Sequence, residues 1–171
     1  RCGGTTQAAG PVKNEPIIPP LAGGVACAFC RRPDAEKWSD PVVIPKTAVT
    51  ERLVARYSKF ASIGPVERID IVESTPDGRA VRVSVRGARG NGLELEAENL
   101  RLVLDPTGRD LRSTYFSVAA EGEAIVFRGG GGFGHGLGMC QQGANAMAEA
   151  GARAGEILRH YYPGSRLTRV Y

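Results

Sequence analysis

Residues 127–144, FRGGGGFGHGLGMCQQGA, carry eight glycines around one of the two histidines and one of the four cysteines. Glycine this dense loses too much backbone entropy on ordering to sustain a helix or strand, so a loop is expected from Gly129 to Gly138. The loop divides the chain's regular structure into an upstream part and a downstream part. Upstream, VERIDIVEST and AVRVSVRG alternate apolar and polar residues on either side of PDGR, the turn chemistry of a β-hairpin. STYFSVAAEGEAIVFRG reads as a second hairpin that delivers the chain into the glycines. Downstream, MCQQGANAMAEAGARAGEILRHYY is helical, with Met139, Ala146, Met147, Ile157 and Leu158 as inner positions and Gly151 and Gly155 as breaks. SRLTRVY is expected to close the chain as a strand.

Two further helices are predicted. Thr50 reads as the N-cap of one in which Leu53, Val54, Tyr57 and Phe60 share a face until Gly64. GLELEAENLRLVLD carries a short strand and then a helical turn or two. Strands joined locally and outnumbering helices define an α+β class with mainly antiparallel pairing. Residues 1–45 are rich in Gly and Pro and show no period, so they are expected to form an irregular, cysteine-containing arm. Residues 46–171 would form the α+β core, the whole being one domain that reads as a mature or partial chain, since it opens on Arg1-Cys2 without a methionine.

The net charge of +4 and pI of about 9.0 permit an acidic polymer as partner. Nucleic acid is not indicated, because Lys and Arg never form a run and no reading helix or RNA-binding motif is present. No stretch approaches the ~20 apolar residues of a membrane span. Gly129, Gly131 and Gly134 fit G-x-G-x-x-G, but a dinucleotide site needs a further parallel strand with an acid for the ribose, and a second helix comes instead. A phosphate-binding P-loop is excluded by the lack of a Lys-Ser/Thr pair after the glycines.

Cys27 and Cys30 form a C-x-x-C pair, with Cys2 before them and Cys140 beside the glycine run. Four cysteines so spaced fit either a four-thiolate zinc site or two disulfides. With zinc, Cys2, Cys27, Cys30 and Cys140 would pin the arm to the loop that holds His135. Gly134 and Gly136 leave that imidazole uncrowded, which favours exposure in a cleft over burial. His160, among tyrosines on an amphipathic helix, reads as structural.

LRSTYF (111–116), GHGLGMCQQGANAMAEAG (134–151) and EILRHYYPGSRLTRVY (156–171) resemble, in order and spacing, the signature of the stage II sporulation protein D and amidase-enhancer (SpoIID/LytB) family of the bacterial envelope. CGGTT at Cys2 to Thr6 and Trp38 resemble that family's middle section. The resemblance implies a cell-envelope protein acting on peptidoglycan glycan strands, as a lytic transglycosylase or as a non-catalytic glycan-binding module that stimulates a cell-wall amidase. In the transglycosylase reaction one carboxylic acid protonates the glycosidic oxygen between MurNAc and GlcNAc, then takes the C6 hydroxyl proton as a 1,6-anhydro ring closes. The glutamate that the family uses precedes the CGG motif, so no residue here inherits the role; Glu51 and Glu67 match no motif, and Glu156 reads as a helix-surface position. The resemblance does imply a cleft: Arg112 and Ser113 of LRS, Gly134, His135 and Gly136, and Gln141 would bind substrate. Where many relatives have SQWGA this chain has CQQGA, so the sugar-stacking aromatic is absent at Gln142.

Overall fold

The computed structural model describes residues 2–10, 16, 18–28 and 40–168. The chain divides into two compact units: Lys37–Gly131, and a discontinuous one made of Arg1–Glu36 and Gly132–Tyr171.

The continuous unit is built on two antiparallel three-stranded sheets. Strand β1 (Val42–Pro45) pairs with β6 (Ala124–Arg128), which pairs with β5 (Ser117–Glu121). In the second sheet β3 (Ala80–Gly87) lies between β2 (Val66–Ser74) and β4 (Gly92–Glu96). Both predicted hairpins are present, β2 with β3 and β5 with β6. The first closes as expected around PDGR: Thr75 N–H donates to Arg79 O (2.8 Å) and Gly78 N–H to Thr75 O (2.9 Å). Ile125, Val126 and Phe127 of the central strand β6 are all buried, so this strand lacks the alternation of one with a solvated face.

Helix α1 (Lys46–Arg56) buries Val49 and Leu53, one turn apart, and α2 (Ala97–Leu104) buries Ala97, Leu100 and Leu104. These faces meet Ile44, Ile125 and Phe127 of one sheet and Val66, Ile69, Val83 and Val85 of the other in a single core. Phe116 meets Phe127 edge to face with ring centroids 5.0 Å apart. The start of α1 differs from expectation. Pro45 occupies the N-cap, and Thr50 lies inside the helix, its hydroxyl donating to Lys46 O (2.8 Å) and accepting from Val66 N–H (2.9 Å). A hydroxyl that can serve both its own helix and the next strand is not confined to a cap. The expected continuation to Gly64 is a separate 3-10 segment, Ser58–Ile63, which buries Phe60 and Ile63.

In the discontinuous unit, residues 4–7 run beside two other segments. Thr6 N–H donates to Val25 O (3.0 Å), Cys27 N–H to Gly4 O (2.8 Å) and Gln7 N–H to Gly136 O (2.9 Å). Helices α3 (Gln141–Glu149) and α4 (Ala154–Tyr161) come next, separated at Gly151 as expected; Gly155 is no break but lies in the first turn of α4. Ile157 is buried, and Met139, Ala144 and Met147 pack around it with Tyr161 and three cysteines. The expected C-terminal strand is not formed at 165–168, where the chain has no sheet partner, and its last three residues lie outside the described ones.

Candidate functional site

The discontinuous unit gathers Cys2, Cys27 and Cys140 from three distant parts of the sequence. Their sulfurs all lie within 4.8 Å of one another, and all three side chains are buried. No disulfide joins the three. Cys30 and Trp38 lie outside the described residues. Each cysteine is placed by a different local device. The backbone bond from Cys27 N–H to Gly4 O sets Cys27 against the CGG turn that holds Cys2. Cys140 caps α3, its sulfur accepting the Gly143 N–H (3.4 Å).

The electrostatics of the cluster explain what it can do. A hydrogen bond with Cys140, burial, and the neighbouring sulfurs push the Cys2 thiol well above the ordinary range. Tyr161, whose hydroxyl is 3.2 Å from Cys27 Sγ, is likewise pushed up, by burial first and by Cys27 second. Without a cation, the Cys2 thiol therefore resists ionisation. A metal ion supplies the positive charge that lets the three thiols ionise together, and they can hold one. Gly143 is part of the construction. A Cβ there would run into the Tyr161 hydroxyl and Cys27 sulfur, so only glycine lets α3 approach them.

The glycine loop between Gly134 and Cys140 is braced from the same unit. Gln7 bonds Gly136, and Met139 N–H donates to the Tyr162 hydroxyl (3.1 Å). His135 is exposed between Gly134 (φ 66°) and Gly136 (φ 75°), left-handed positions that turn the backbone away on both sides. Leu137 N–H donates to His135 Nδ1 (3.0 Å). An acceptor at Nδ1 places the proton of the neutral ring on Nε2. Two residues upstream, Phe133 is 38% exposed, an aromatic face that the sequence did not single out because the expected position for one was 142. Gln141 is exposed at the first position of α3. His160 Nε2 is 3.1 Å from Ala26 O, and its ring packs edge to face on Tyr161.

Arg112 and Ser113 belong to the continuous unit. Ser113 is fully buried, its hydroxyl donating to Gly131 O (2.5 Å) and accepting from Tyr115 N–H (3.1 Å). Both hydrogen-bonding functions therefore hold backbone. Arg112 is half-buried, with Nε donating to Arg109 O (3.0 Å). The loop before them is organised by Asp105, whose carboxylate accepts from the Thr107 hydroxyl (2.6 Å) and from the amides of Thr107, Gly108, Asp110 and Leu111. Burial alone would raise its pKa, but these donors outweigh burial and hold it below the ordinary carboxylate value. Bidentate Arg101 and Glu98 brace the same loop, Arg101 Nη1 donating to Leu111 O (3.0 Å).

Comparison with known proteins gives relatives for the chain. The Amidase enhancer of Bacillus subtilis (strain 168) is 47% identical over 57 residues, 33% of this chain and 8% of that protein. Stage II sporulation protein D of Bacillus amyloliquefaciens is 42% identical over 74 residues, 43% of this chain and 20% of that protein. An uncharacterized protein of Brachyspira hyodysenteriae (strain ATCC 49526 / WA1) is 29% identical over 163 residues, 95% of this chain and 40% of that protein. The chain thus spans well under two thirds of each of these relatives. Residues 37–138 match a family described as Domain of unknown function (DUF8618). The chain belongs to that family, and its relatives tie it to the stage II sporulation protein D and amidase-enhancer (SpoIID/LytB) family that its glycine loop and LRS motif resemble.

Proposed function

We propose that this chain is a glycan-binding part of an extracytoplasmic cell-wall protein, engaging peptidoglycan strands and acting with a cell-wall amidase in the manner its relatives' names suggest. The observation that carries the reading is the braced, exposed His135 loop. The exposed imidazole of His135 is a polar group suited to a sugar hydroxyl, Gly134 and Gly136 let a glycan approach the backbone, and exposed Phe133 presents an aromatic side chain to a sugar ring. Gln141 adds an amide to the same unit; in the continuous unit, Arg112 is a separate cation suited to a lactyl carboxylate. Ser113 acts as a positioning residue for the segment that carries Arg112. Among the described residues no helix is long and apolar enough to cross a membrane.

The metal in this reading is zinc, with Cys2, Cys27 and Cys140 as ligands; Cys30, expected from the sequence as the fourth, lies outside the described residues. Sulfurs around a tetrahedral zinc at about 2.3 Å would lie about 3.8 Å apart, and those of the three described thiols all fall within 4.8 Å of one another. The ion is structural: it fixes Cys140, and so one end of the glycine loop.

Transglycosylase chemistry needs a carboxyl that is protonated near neutral pH. Asp105 and Glu121 are both shifted the other way, to lower pKa, Glu121 through its bidentate bond with Arg128. No residue here matches the glutamate that the family resemblance implies, so binding is the role proposed for this chain. The test is co-sedimentation with purified, peptide-stripped peptidoglycan, followed by muropeptide analysis. Wild-type chain should sediment, His135→Ala should lose at least fivefold in retention, and no 1,6-anhydro ends should accumulate. Equal sedimentation of wild type and variant would remove His135 from the site. Accumulation of anhydro ends would make the chain an enzyme.

A further inference from the structure

The continuous unit holds a second candidate site that the glycan reading does not use. Between α1 and α2 lies a cavity of about 530 Å³, within the size range of ligand sites. Arg52 and Arg56 line one side, Asn99 and Leu102 the other, with Tyr57 and Pro106 at its ends, and no lining residue is acidic. Leu102 is 43% exposed, a large apolar side chain left open beside two cations.

The two arginines are set up as a pair. They stand four residues apart on α1, about 6 Å along the axis, so both heads sit on one face. Arg52 Nη1 donates to Leu104 O (2.6 Å), which fixes that guanidinium at the C-terminal end of α2 and leaves its remaining N–H groups for a ligand. Arg56 lies 5.0 Å from the centroid of the Tyr57 ring, a stacking contact that restrains the second head. Asn99 Nδ2 donates to Glu96 Oε2 (3.1 Å), so its amide oxygen is the group it offers to a ligand. Restraining these side chains beforehand lowers the entropy lost on binding.

We propose that this groove binds a short extended peptide carrying acidic residues at alternate positions followed by an apolar one. In an extended chain, residues i and i+2 point to the same side about 6.6 Å apart, comparable to the rise of about 6 Å between Arg52 and Arg56 along α1. Each carboxylate meets one guanidinium, Asn99 accepts a backbone N–H of the peptide, and the apolar side chain at i+4 covers Leu102 and Pro106. A nucleic-acid strand fits less well, because it requires a continuing track of cations where this groove has an apolar floor.

The test is fluorescence anisotropy on the purified chain with the fluorescein-labelled peptide Glu-Ser-Glu-Ser-Leu. The comparison probes are Glu-Glu-Ser-Ser-Leu, the basic analogue Lys-Ser-Lys-Ser-Leu, and an oligothymidylate. The alternating acidic peptide should bind best, with affinity falling as salt rises. Arg56→Glu and Leu102→Asp, both exposed positions, should each weaken it at least tenfold, whereas Arg166→Glu, an equal charge change in the other unit, should not. The proposal is overturned if the wild type shows no binding at millimolar peptide or prefers the oligothymidylate. It is overturned equally if the clustered-acid peptide binds as well, or if Arg56→Glu and Leu102→Asp leave affinity unchanged. None of these readouts involves a glycan, so they stand apart from the His135 test.

Discussion

Gly143 shows how a single hydrogen in place of a methyl can govern a site. It is buried where α3 passes the Tyr161 hydroxyl and the Cys27 sulfur, and its N–H reaches Cys140. Ala is ordinarily the better helix former by about 1 kcal/mol, so intrinsic propensity alone predicts that Gly143→Ala stabilises. Here the added carbon meets a hydroxyl and a sulfur that are themselves buried, and overpacking of about 1–3 kcal/mol takes precedence. Urea unfolding should therefore show Gly143→Ala to be less stable than wild type, and bound metal measured by elemental analysis should fall with it. A variant of unchanged stability and metal content would mean that the thiol cluster tolerates displacement of α3. The sequence pointed to Cys140 and the glycines before it, yet not to Gly143, because nothing in QQGANA reveals that a tyrosine eighteen residues on returns to this point.

At the scale of elements, legibility in the sequence depended on whether the signal was local. The two hairpins were readable because turn residues and alternation sit in the same short stretch. The α2 helix and the strand before it were readable for the same reason. Strand β1 was missed: four residues ending in proline carry no period, and it exists because β6 offers it an edge. SRLTRVY was expected to be a strand but has no sheet partner over its described part, 165–168. For the site, the cysteine count foretold a cluster, whereas its assembly through Gly4, Gln7 and Gly136 depends on pairings distant in sequence.

The loop after α2 supplies the prediction that belongs to this scale. Asp105 holds it with four amides and one hydroxyl, and its folded pKa lies below the ordinary value. A depressed carboxylate pKa contributes stability that is present above its unfolded value, about 4, and is lost as pH falls through the folded one. Asp105→Asn should cost about 2–3 kcal/mol at neutral pH, because one amide nitrogen must then face N–H donors. The stability gap between variant and wild type in urea should narrow on acidification below about pH 4. A gap that stays constant with pH would show that the carboxylate's charge is not what holds the loop.

For the whole molecule, the division into one continuous and one discontinuous unit has a direct experimental reading. The continuous unit has its own core drawn from both sheets and both of its helices. Residues 37–131 expressed alone should unfold cooperatively and keep the acidic-peptide groove. The other unit's core is small and is organised around three thiols, so its stability should depend on the ion. Chelation of the intact chain should expose Cys2, Cys27 and Cys140 to a thiol reagent while amides of β3 and β6 remain protected from hydrogen exchange. Loss of protection in both units together would show that the chain unfolds as one body.

The order in which the ribosome presents the cysteines differs from the order in which they become useful. Cys2 and Cys27 precede Cys140, whose sulfur arrives about 110 residues after Cys27, roughly 5–20 s at ordinary synthesis rates. In that interval the whole of the 37–131 unit is made, with every strand of its two sheets, while the early thiols have no completed site to enter. In the proposed metal site, the growing chain thus carries its first thiols without Cys140, open to mispairing until that residue arrives.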